Sequence, residues 1–325
     1  MHARWMIVPV PALCAALLTA ATGFAAETYP SRPIRVLAGG PPGGPIDIMA
    51  RVVGQKLSEQ YGQAVVIDNR GGAGGTIATR LTAQAVTDGY TLLCNSSQYV
   101  VSATLYKNPG YDAFKDFAPI INAGVSPNIL FVHPSVGATN LAELFALIKA
   151  KKITSYGSAG TGTTPHLTGE RLLKSLAGLE ITHVPYGGAA PAINAVVAGQ
   201  VLIGSTAMPP TVTLIKGGKL RGIAVTSPKR MPSLPEVATV AESGYPGYED
   251  YTWIAFFAPS GTPKPIVDRL NHDIAALLQL ADTRERLATL GFDAIPNTPE
   301  QFTAYVRTEV AKWGKVIKES GAHVD

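Results

Sequence analysis

Residues 34–61 read IRVLAGGPPGGPIDIMARVVGQKLSEQY, so that a strand-like run, a glycine-rich loop and a helical run follow one another directly. The apolar, β-branched run at 34–37 predicts a strand, and the spacing of apolar residues over 48–61 predicts a helix with one buried face. Proline is favoured at the first helical position, so Pro45 marks the helix start with Gly44 as its cap. Asp47 then falls in the first turn, where its charge suits the helix dipole and predicts a local capping role.

The same alternation of short strands and helices continues along the chain and predicts parallel sheets with crossover helices. A first set is completed by a strand at 64–68, a helix at 76–86 and a strand at 91–94. A second set begins near residue 128, with strands at 129–132, 153–156, 182–185, 201–204 and 222–226 and helices at 141–150, 168–176 and 189–198. The pattern then changes to one strand at 252–257 followed by helices at 265–280, 283–290 and 299–318.

Two such sets predict an α/β fold with two lobes. We expect lobe 1 to comprise residues 26–126 plus 252–325, and lobe 2 residues 127–251. The chain would then cross between lobes near 125–128 and again near 249–252, and two crossings make a hinge on which lobes close around a ligand. One large continuous sheet is the alternative that the pattern leaves open.

The N-terminus predicts export from the cytoplasm. Arg4 precedes an apolar run of about 16 residues, which is shorter than the roughly 20 that span a membrane. Gly23 and Ala25 supply small residues before a cut at Ala26, so residues 1–25 resemble a cleaved signal peptide. An anchoring helix, or a lipid on Cys14, is the less favoured alternative. Removal of the leader leaves Cys94 alone, which excludes an internal disulfide and predicts a core cysteine.

Composition excludes several functions. The formal charge of +4 falls to +3 without the leader, and the basic residues do not cluster with aromatics, which argues against a nucleic-acid surface. Neither a Gly-x-Ser-x-Gly elbow nor a metal-like spacing of His166, His183 and His272 is present, so we expect no catalytic residue, metal or cofactor.

Two glycine-rich loops, at 39–45 and 157–166, each follow a predicted strand and open a predicted helix. Free backbone N–H groups at such a helix start can face an anion. The second loop has Thr163 and Thr164 where a phosphate-binding loop needs Lys and Ser or Thr, so nucleotide hydrolysis is disfavoured. A carboxylate needs fewer hydrogen-bond donors than the phosphates of a nucleotide. Further glycine-rich turns at 69–76 and 184–191 also lead into helices, and Tyr186 could supply an aromatic wall.

A series of motifs in register resembles the periplasmic receptors of tripartite tricarboxylate transporters, the Bug-type solute-binding proteins. The resemblance covers essentially the whole mature chain. Its motifs are YPSRPIR at 29–35, PGG at 42–44, DNRGGAGG at 68–75, DGYTLL at 88–93, YGSAGTG at 156–162, HVPYGG at 183–188, RGIAVT at 221–226 and APSGTP at 258–263.

The resemblance implies a hinged, two-domain periplasmic-binding-protein fold, a Venus flytrap, that captures an organic carboxylate and delivers it to two membrane subunits. It implies that one carboxylate is held by the loop at 42–47 and the other end of the ligand by the loop at 158–166. The candidate ligand-binding residues are Gly43, Gly44, Pro45, Ile46, Ser96, Ser158, Gly160, Thr161, Gly162, Thr163, His166, Tyr186 and Thr206. We expect a periplasmic monomer.

The chain departs from the family pattern at two places. Pro45 and Ile46 replace a glycine and a hydroxyl residue before Asp47, which adds apolar surface unless Ile46 points into the core. No acid follows the strand at 201–204, which disfavours an amino acid as the ligand. We therefore expect a dicarboxylate with an apolar or aromatic middle, such as terephthalate, over citrate, whose hydroxyl and third carboxylate would lack partners at Pro45 and Ile46. Signalling to a membrane sensor kinase and a secreted hydrolase or isomerase are the alternative functions.

Overall fold

The computed structural model describes residue 2 and residues 29–320, with side chains as far as residue 315. The predicted signal peptide at 1–25 lies outside the described residues apart from residue 2. No helix in the described ranges has the length and apolarity needed to cross a bilayer.

The described chain alternates strands and helices, as the sequence predicts. The strands are β1 (Ile34–Ala38), β2 (Val65–Asn69), β3 (Thr91–Ser96), β4 (Phe117–Val132), β5 (Ser155–Ser158), β6 (Thr182–Pro185), β7 (Ile203–Ala207), β8 (Arg221–Val225) and β9 (Tyr251–Pro259). The helices are α1 (Pro45–Tyr61), α2 (Thr76–Ala83), α3 (Gln98–Leu105), α4 (Leu141–Lys149), α5 (Thr164–Gly169, continued by a π-helix over Glu170–Leu176), α6 (Ala189–Val197), α7 (Val212–Lys216), α8 (Lys264–Gln279), α9 (Ala281–Leu290) and α10 (Pro299–Ser320).

Two sheets meet at β4. The order β2-β1-β3-β9-β4 makes the first sheet, and β4 continues into a second sheet in which it pairs with β7 and β8, followed by β5 and β6. The two lobes are thus joined by hydrogen-bonded strands. The strand order is continuous, as in the alternative of one large sheet, but each lobe has its own apolar clusters. Helices cover both faces of each sheet, with separate apolar clusters on the four faces.

Two strands depart from the predicted parallel arrangement. β4 runs antiparallel to β9 over residues 117–127 and 251–259, and β9 is also antiparallel to β3. The reason is topological: β4 carries the chain out of the first sheet and β9 carries it back, so the two must run in opposite directions. Only the last four of the 16 residues of β4 are predicted from the sequence, and α3 is not predicted at all.

The two predicted crossings lie side by side in this strand pair. Val125 is paired with Trp253, Ser126 with Thr252 and Pro127 with Tyr251. Two clusters of core residues come from before residue 126 and after residue 252, and the other two from residues 129–248. The exact boundaries at 126/127 and 251/252 stay a prediction, because β4 and β9 pass through them without a break.

A buried carboxylate fixes α10 to the returning strand. Glu309 is 5% exposed, and its Oε2 accepts hydrogen bonds from the indole N–H of Trp253 at 3.1 Å and of Trp313 at 3.0 Å. Lys312 Nζ lies 3.3 Å from the other oxygen and balances the charge. Trp253 lies on β9 beside the crossing, so this cluster holds the last helix against the strand that returns to lobe 1.

We expect Glu309→Ala to lower the free energy of unfolding by about 3 kcal/mol, because two buried indole N–H groups lose their acceptor. Urea titration measures the change. Glu300→Ala is the matched control. Glu300 is exposed in the first turn of the same helix, and its ion pair with Lys264 is loose, at 3.9 Å. Equal losses for the two variants would contradict the structural role of Glu309.

Candidate ligand-binding cleft

A cavity of about 320 Å³ lies between the two lobes. Its wall is built from four loops, at residues 39–46 and 72–75 in lobe 1 and at 159–165 and 185–189 in lobe 2. Ser96, Gln98, Tyr106, Ala207 and Thr252 complete it. This size is at the lower end of ordinary small-molecule pockets, which suits a compact metabolite.

The cavity wall is neutral. None of the described residues that line it carries a charged side chain; they are glycine, alanine, proline, isoleucine, serine, threonine, tyrosine and glutamine. No group of three or more metal-ligating side chains occurs among the described residues. Binding of a charged ligand must therefore rely on dipoles and hydrogen bonds.

Several helices begin at the cavity and supply such dipoles. The first residue of α3, Gln98, is one of the lining residues, but its N–H donates to the hydroxyl of Ser96 at 3.4 Å. α1 begins at Pro45, α5 at Thr164 and α6 at Ala189. The N–H groups of the first helical turn have no acceptor within their own helix, and the helix dipole makes this end positive. No backbone acceptor in the described part of the chain bonds the N–H of Ile46, Thr164 or Ala189. The site thus presents free donors from both lobes to the same space.

The first loop is held in shape by Asp47. Its carboxylate is 4% exposed and accepts hydrogen bonds from the N–H of Gly43 at 2.9 Å and from Arg51 Nε at 3.0 Å. Burial alone would raise the pKa of Asp47, but these bonds outweigh it and hold the pKa below its ordinary value. Asp47 is therefore charged and engaged within its own lobe, which agrees with the predicted capping role.

The second of the two loops singled out from the sequence, at 157–166, is held by its own side chains. The hydroxyl of Thr163 donates to the carbonyl of Gly160 at 2.8 Å and accepts from the N–H of His166 at 3.4 Å, which caps α5. The N–H of Gly162 donates to Nδ1 of His166 at 3.3 Å. Burial lowers the pKa of His166, which keeps the ring neutral and able to accept this bond.

A second imidazole supports the first. The rings of His166 and His183 contact each other at a tilt of 31° with their centroids 4.1 Å apart, and Nε2 of His183 lies 2.7 Å from the hydroxyl of Ser158. Ser158 in turn accepts the N–H of Gly160 at 3.2 Å. Burial, with the neighbouring His166, lowers the pKa of His183 from 6.5 to about 4. The pair therefore forms an uncharged support beneath the second loop.

The structure brings most of the predicted site residues to one place. Those that line the cavity are Gly44, Pro45, Ile46, Ser96, Gly160, Thr161, Thr163 and Tyr186. Those that do not line it are Gly43, Ser158, Gly162, His166 and Thr206. The first four of this second group bond within the loops as described, and the hydroxyl of Thr206 donates to the carbonyl of Ala207 at 3.0 Å. Ile46 packs in the core of lobe 1 as well as lining the cavity.

Some lining residues were missed from the sequence. Residues 72–75 and 187–188 carry the glycine-rich signal of the other two loops but were not included in the predicted site. Gln98 and Tyr106 lie on and just after α3, a helix without a sequence signal. The polar run after β3 was the available hint for Gln98, since side chains at the carboxyl end of parallel strands commonly face a ligand.

The two lobes contact each other beside the cavity. A β-carbon added to Gly188 of lobe 2 would lie 2.4 Å from Cγ of Pro41 in lobe 1. A β-carbon added to Gly162 would lie 2.3 Å from Cδ2 of Leu105. Both glycines also have positive φ, of 142° and 78°. The lobes therefore approach as closely as backbone allows, which is the arrangement expected of a closed cleft.

A line of hydroxyl groups runs through the hinge under the cavity. Ser97 and Thr164 lie 3.2 Å apart through their side-chain oxygens, and Thr164 and Thr252 lie 2.5 Å apart. Thr252 donates to Oδ1 of Asn128 at 2.8 Å. Since Ser97 belongs to lobe 1, Thr164 to lobe 2 and the other two to the hinge strands, this line links both lobes to the strand pair between them.

The chain matches the family model for the tripartite tricarboxylate transporter family receptor over residues 49–322. It is 39% identical over 298 residues to the UPF0065 protein in the tcbD-tcbE intergenic region of Pseudomonas sp. (strain P51), which covers 90% of this chain and 88% of that protein. It is 36% identical over 305 residues to protein BugT of Bordetella pertussis, with 93% of each chain covered.

Solved structures agree with this similarity. R. palustris Rpa4515 with adipate superposes with a TM-score of 0.87 at 36% identity, covering 91% of this chain and 100% of that one. The periplasmic binding protein BugD gives 0.86 at 36% identity, with 91% and 99% covered. MatC of Rhodopseudomonas palustris with bound malate gives 0.81 at 30% identity, with 89% and 100% covered.

The lowered pKa of His183 makes stability depend on pH. In the unfolded chain this imidazole binds a proton below about pH 6.5, whereas the folded protein resists protonation until about pH 4. Its stabilising contribution is therefore present above pH 6.5 and is lost as the pH falls towards 4. We expect the melting temperature and the free energy of unfolding to fall between pH 7.5 and 5.0. In His183→Gln the loss of free energy over this range should be smaller by about 1 kcal/mol, after allowance for solvent screening.

Thermal unfolding at the two pH values measures this effect. His272→Gln is the control, because the His272 side chain is 83% exposed on α8. A fall of equal size in the wild-type protein and in His183→Gln would contradict the assignment.

Proposed function

The chain belongs to the tripartite tricarboxylate transporter family of receptors, and we propose that it captures a small dicarboxylate between its two lobes and delivers it to the membrane subunits of a tripartite transporter. The observation that carries this proposal is the neutral cavity at which helices from both lobes begin. We further propose that it acts in the periplasm as a monomer after loss of its leader, and that it binds its ligand without converting it.

The arrangement of donors favours two separated negative charges. α1 approaches the cavity from lobe 1, and α5 and α6 approach from lobe 2. Each hydrogen bond to a charged group contributes about 1.5–3 kcal/mol, and each helix dipole about 0.3–1 kcal/mol. After ordering costs, two or three donors on each side support binding near micromolar, which corresponds to about −8 kcal/mol.

The wall disfavours other small acids. An amino acid brings an ammonium group, and no carboxylate lies among the described residues that line the cavity. A tricarboxylate would bring more negative charge to a wall that has no cationic side chain, and Pro45 and Ile46 offer it apolar surface at the first loop. Tyr106 and Tyr186 add aromatic wall, so a ligand with an apolar or aromatic middle buries favourable area at about 25 cal/mol per Å². Terephthalate and aliphatic diacids, such as the adipate bound by Rpa4515, fit this description.

A titration panel tests the proposed function. We expect terephthalate or an aliphatic dicarboxylate to bind the wild-type protein at least about tenfold more tightly than citrate or glutamate, a ratio of about 1.4 kcal/mol. Isothermal titration gives the affinities, and chromatography of the bound ligand after incubation gives any product. Tighter binding of citrate or glutamate, or turnover of the ligand, would contradict the proposal.

Closure of the lobes is tested at Gly188. We expect Gly188→Ala to weaken dicarboxylate binding by about tenfold or more, because the new methyl group occupies the place of Pro41 and such overpacking costs about 1–3 kcal/mol. Isothermal titration measures the affinity, and thermal unfolding without ligand reports damage to lobe 2 itself.

Gly199 serves as the control for this variant. It lies outside the cavity wall, has a φ of 71°, and a β-carbon there meets no atom within 4 Å, so Gly199→Ala tests backbone strain alone. If Gly188→Ala binds the dicarboxylate as tightly as Gly199→Ala, the ligand does not require the contact between lobes.

A further inference from the structure

A buried chain of hydrogen bonds runs behind the lobe 1 wall and ends at the cavity. The hydroxyl of Thr79 donates to the carbonyl of Gly75 at 2.8 Å, and Nδ2 of Asn95 donates to the Thr79 oxygen at 3.0 Å. Nε2 of Gln98 lies 2.9 Å from Oδ1 of Asn95 and 2.8 Å from the carbonyl of Gly39. Thr79 and Asn95 are fully buried, and Gln98 is 9% exposed.

The direction of every bond in this chain is fixed by its ends. The carbonyl oxygens of Gly75 and Gly39 can only accept, so Thr79 must spend its one hydrogen on Gly75 and accept from Asn95. The amide of Asn95 therefore points its nitrogen at Thr79 and its oxygen at Gln98, and that oxygen also accepts the N–H of Ser96 at 2.8 Å. Gln98 must then use both amide hydrogens inside the wall. The reversed amide would set its oxygen against two other acceptors.

This leaves Oε1 of Gln98 without a donor in the described part of the chain, on a side chain that lines the cavity. This oxygen is not fully buried, and since Gln98 lines the cavity, the oxygen is accessible from there. We infer that Gln98 determines specificity by accepting a hydrogen bond from the ligand, and that the preferred ligand is a dicarboxylate that carries a hydroxyl group. This inference rests on the proposed function. Among the dicarboxylates of that proposal, it favours a hydroxylated aliphatic ligand over terephthalate and over unsubstituted diacids such as adipate.

The chemistry of the remaining wall selects the hydroxyl. A carboxylate oxygen placed against Oε1 would bring two acceptors together, so the carboxylates must lie at the helix starts instead. An ammonium could donate to Oε1, but the wall offers no carboxylate to balance its charge. A neutral hydroxyl satisfies the acceptor without adding charge. A ligand without a hydrogen-bond donor would leave Oε1 of Gln98 unpaired or bonded to a water molecule.

A ligand series tests this inference on the wild-type protein. Malate carries a hydroxyl, succinate lacks it, and chlorosuccinate fills similar space without a donor. We expect malate to bind about tenfold more tightly than either of the others in isothermal titration, as about 1.4 kcal/mol for one satisfied acceptor predicts. Equal affinities for malate, succinate and chlorosuccinate would overturn the inference.

A variant assigns the effect to this residue. In Gln98→Met the acceptor is replaced by an apolar chain of similar length, so we expect the ratio of malate to succinate affinity to fall towards one. Gln55→Met, on the exposed face of α1, should keep the wild-type ratio. If Gln98→Met weakens both ligands equally, Gln98 holds water or the wall and the inference is wrong. If Gln98→Met does not fold, the wild-type ligand series still decides.

The outcome is separable from the proposed function. Binding of succinate and malate with equal affinity leaves a dicarboxylate receptor in place and removes only the role of Gln98. Failure of every dicarboxylate to bind the wild-type protein removes both.

Discussion

The antiparallel pairing of β4 with β9 is the constraint on which the rest of the structure depends. These two neighbouring strands carry the chain from lobe 1 to lobe 2 and back, and residues 117–127 of one pair with residues 251–259 of the other. Because both crossings lie in one strand pair, the lobes can approach or separate while each keeps its own apolar clusters. The turns that follow β1 and β5 then face each other across a single cavity.

The proposed recognition at this cavity depends on backbone geometry more than on charged side chains. Asp47, in the first turn of α1, is engaged by Gly43 and Arg51, and the imidazoles of His166 and His183 are kept uncharged by burial. What remains at the wall is a set of helix starts, hydroxyls and one amide. Such a site loses little hydration free energy when a ligand displaces its water, because its donors are dipoles rather than ions. A change of one neutral wall residue for another can therefore alter which ligand is preferred without disturbing the helix starts.

Much of this arrangement could be predicted from the sequence, and the exceptions have physical causes. α1 and its cap are local features, so Gly44 and Pro45 predicted them. The first twelve residues of β4 were missed because Pro119, Gly124 and Pro127 interrupt the strand pattern. In the pairing with β9, register shifts lie next to Pro119 and Gly124, and Pro127 pairs with Tyr251 without a shift. Gln98 was missed because its placement at the cavity depends on hydrogen bonds to Gly39 and Asn95, which only the folded chain creates.

Backbone donors at helix starts are proposed to hold a dicarboxylate between the lobes, and a crystal structure of the protein with a bound dicarboxylate is the most direct test. We expect one carboxylate within about 3.2 Å of the N–H of Ile46 and the other within about 3.2 Å of the N–H of Thr164 or Ala189. A ligand carboxylate paired instead with a lysine or arginine side chain, or bound outside the cavity between the lobes, would show that these helix starts do not hold the ligand.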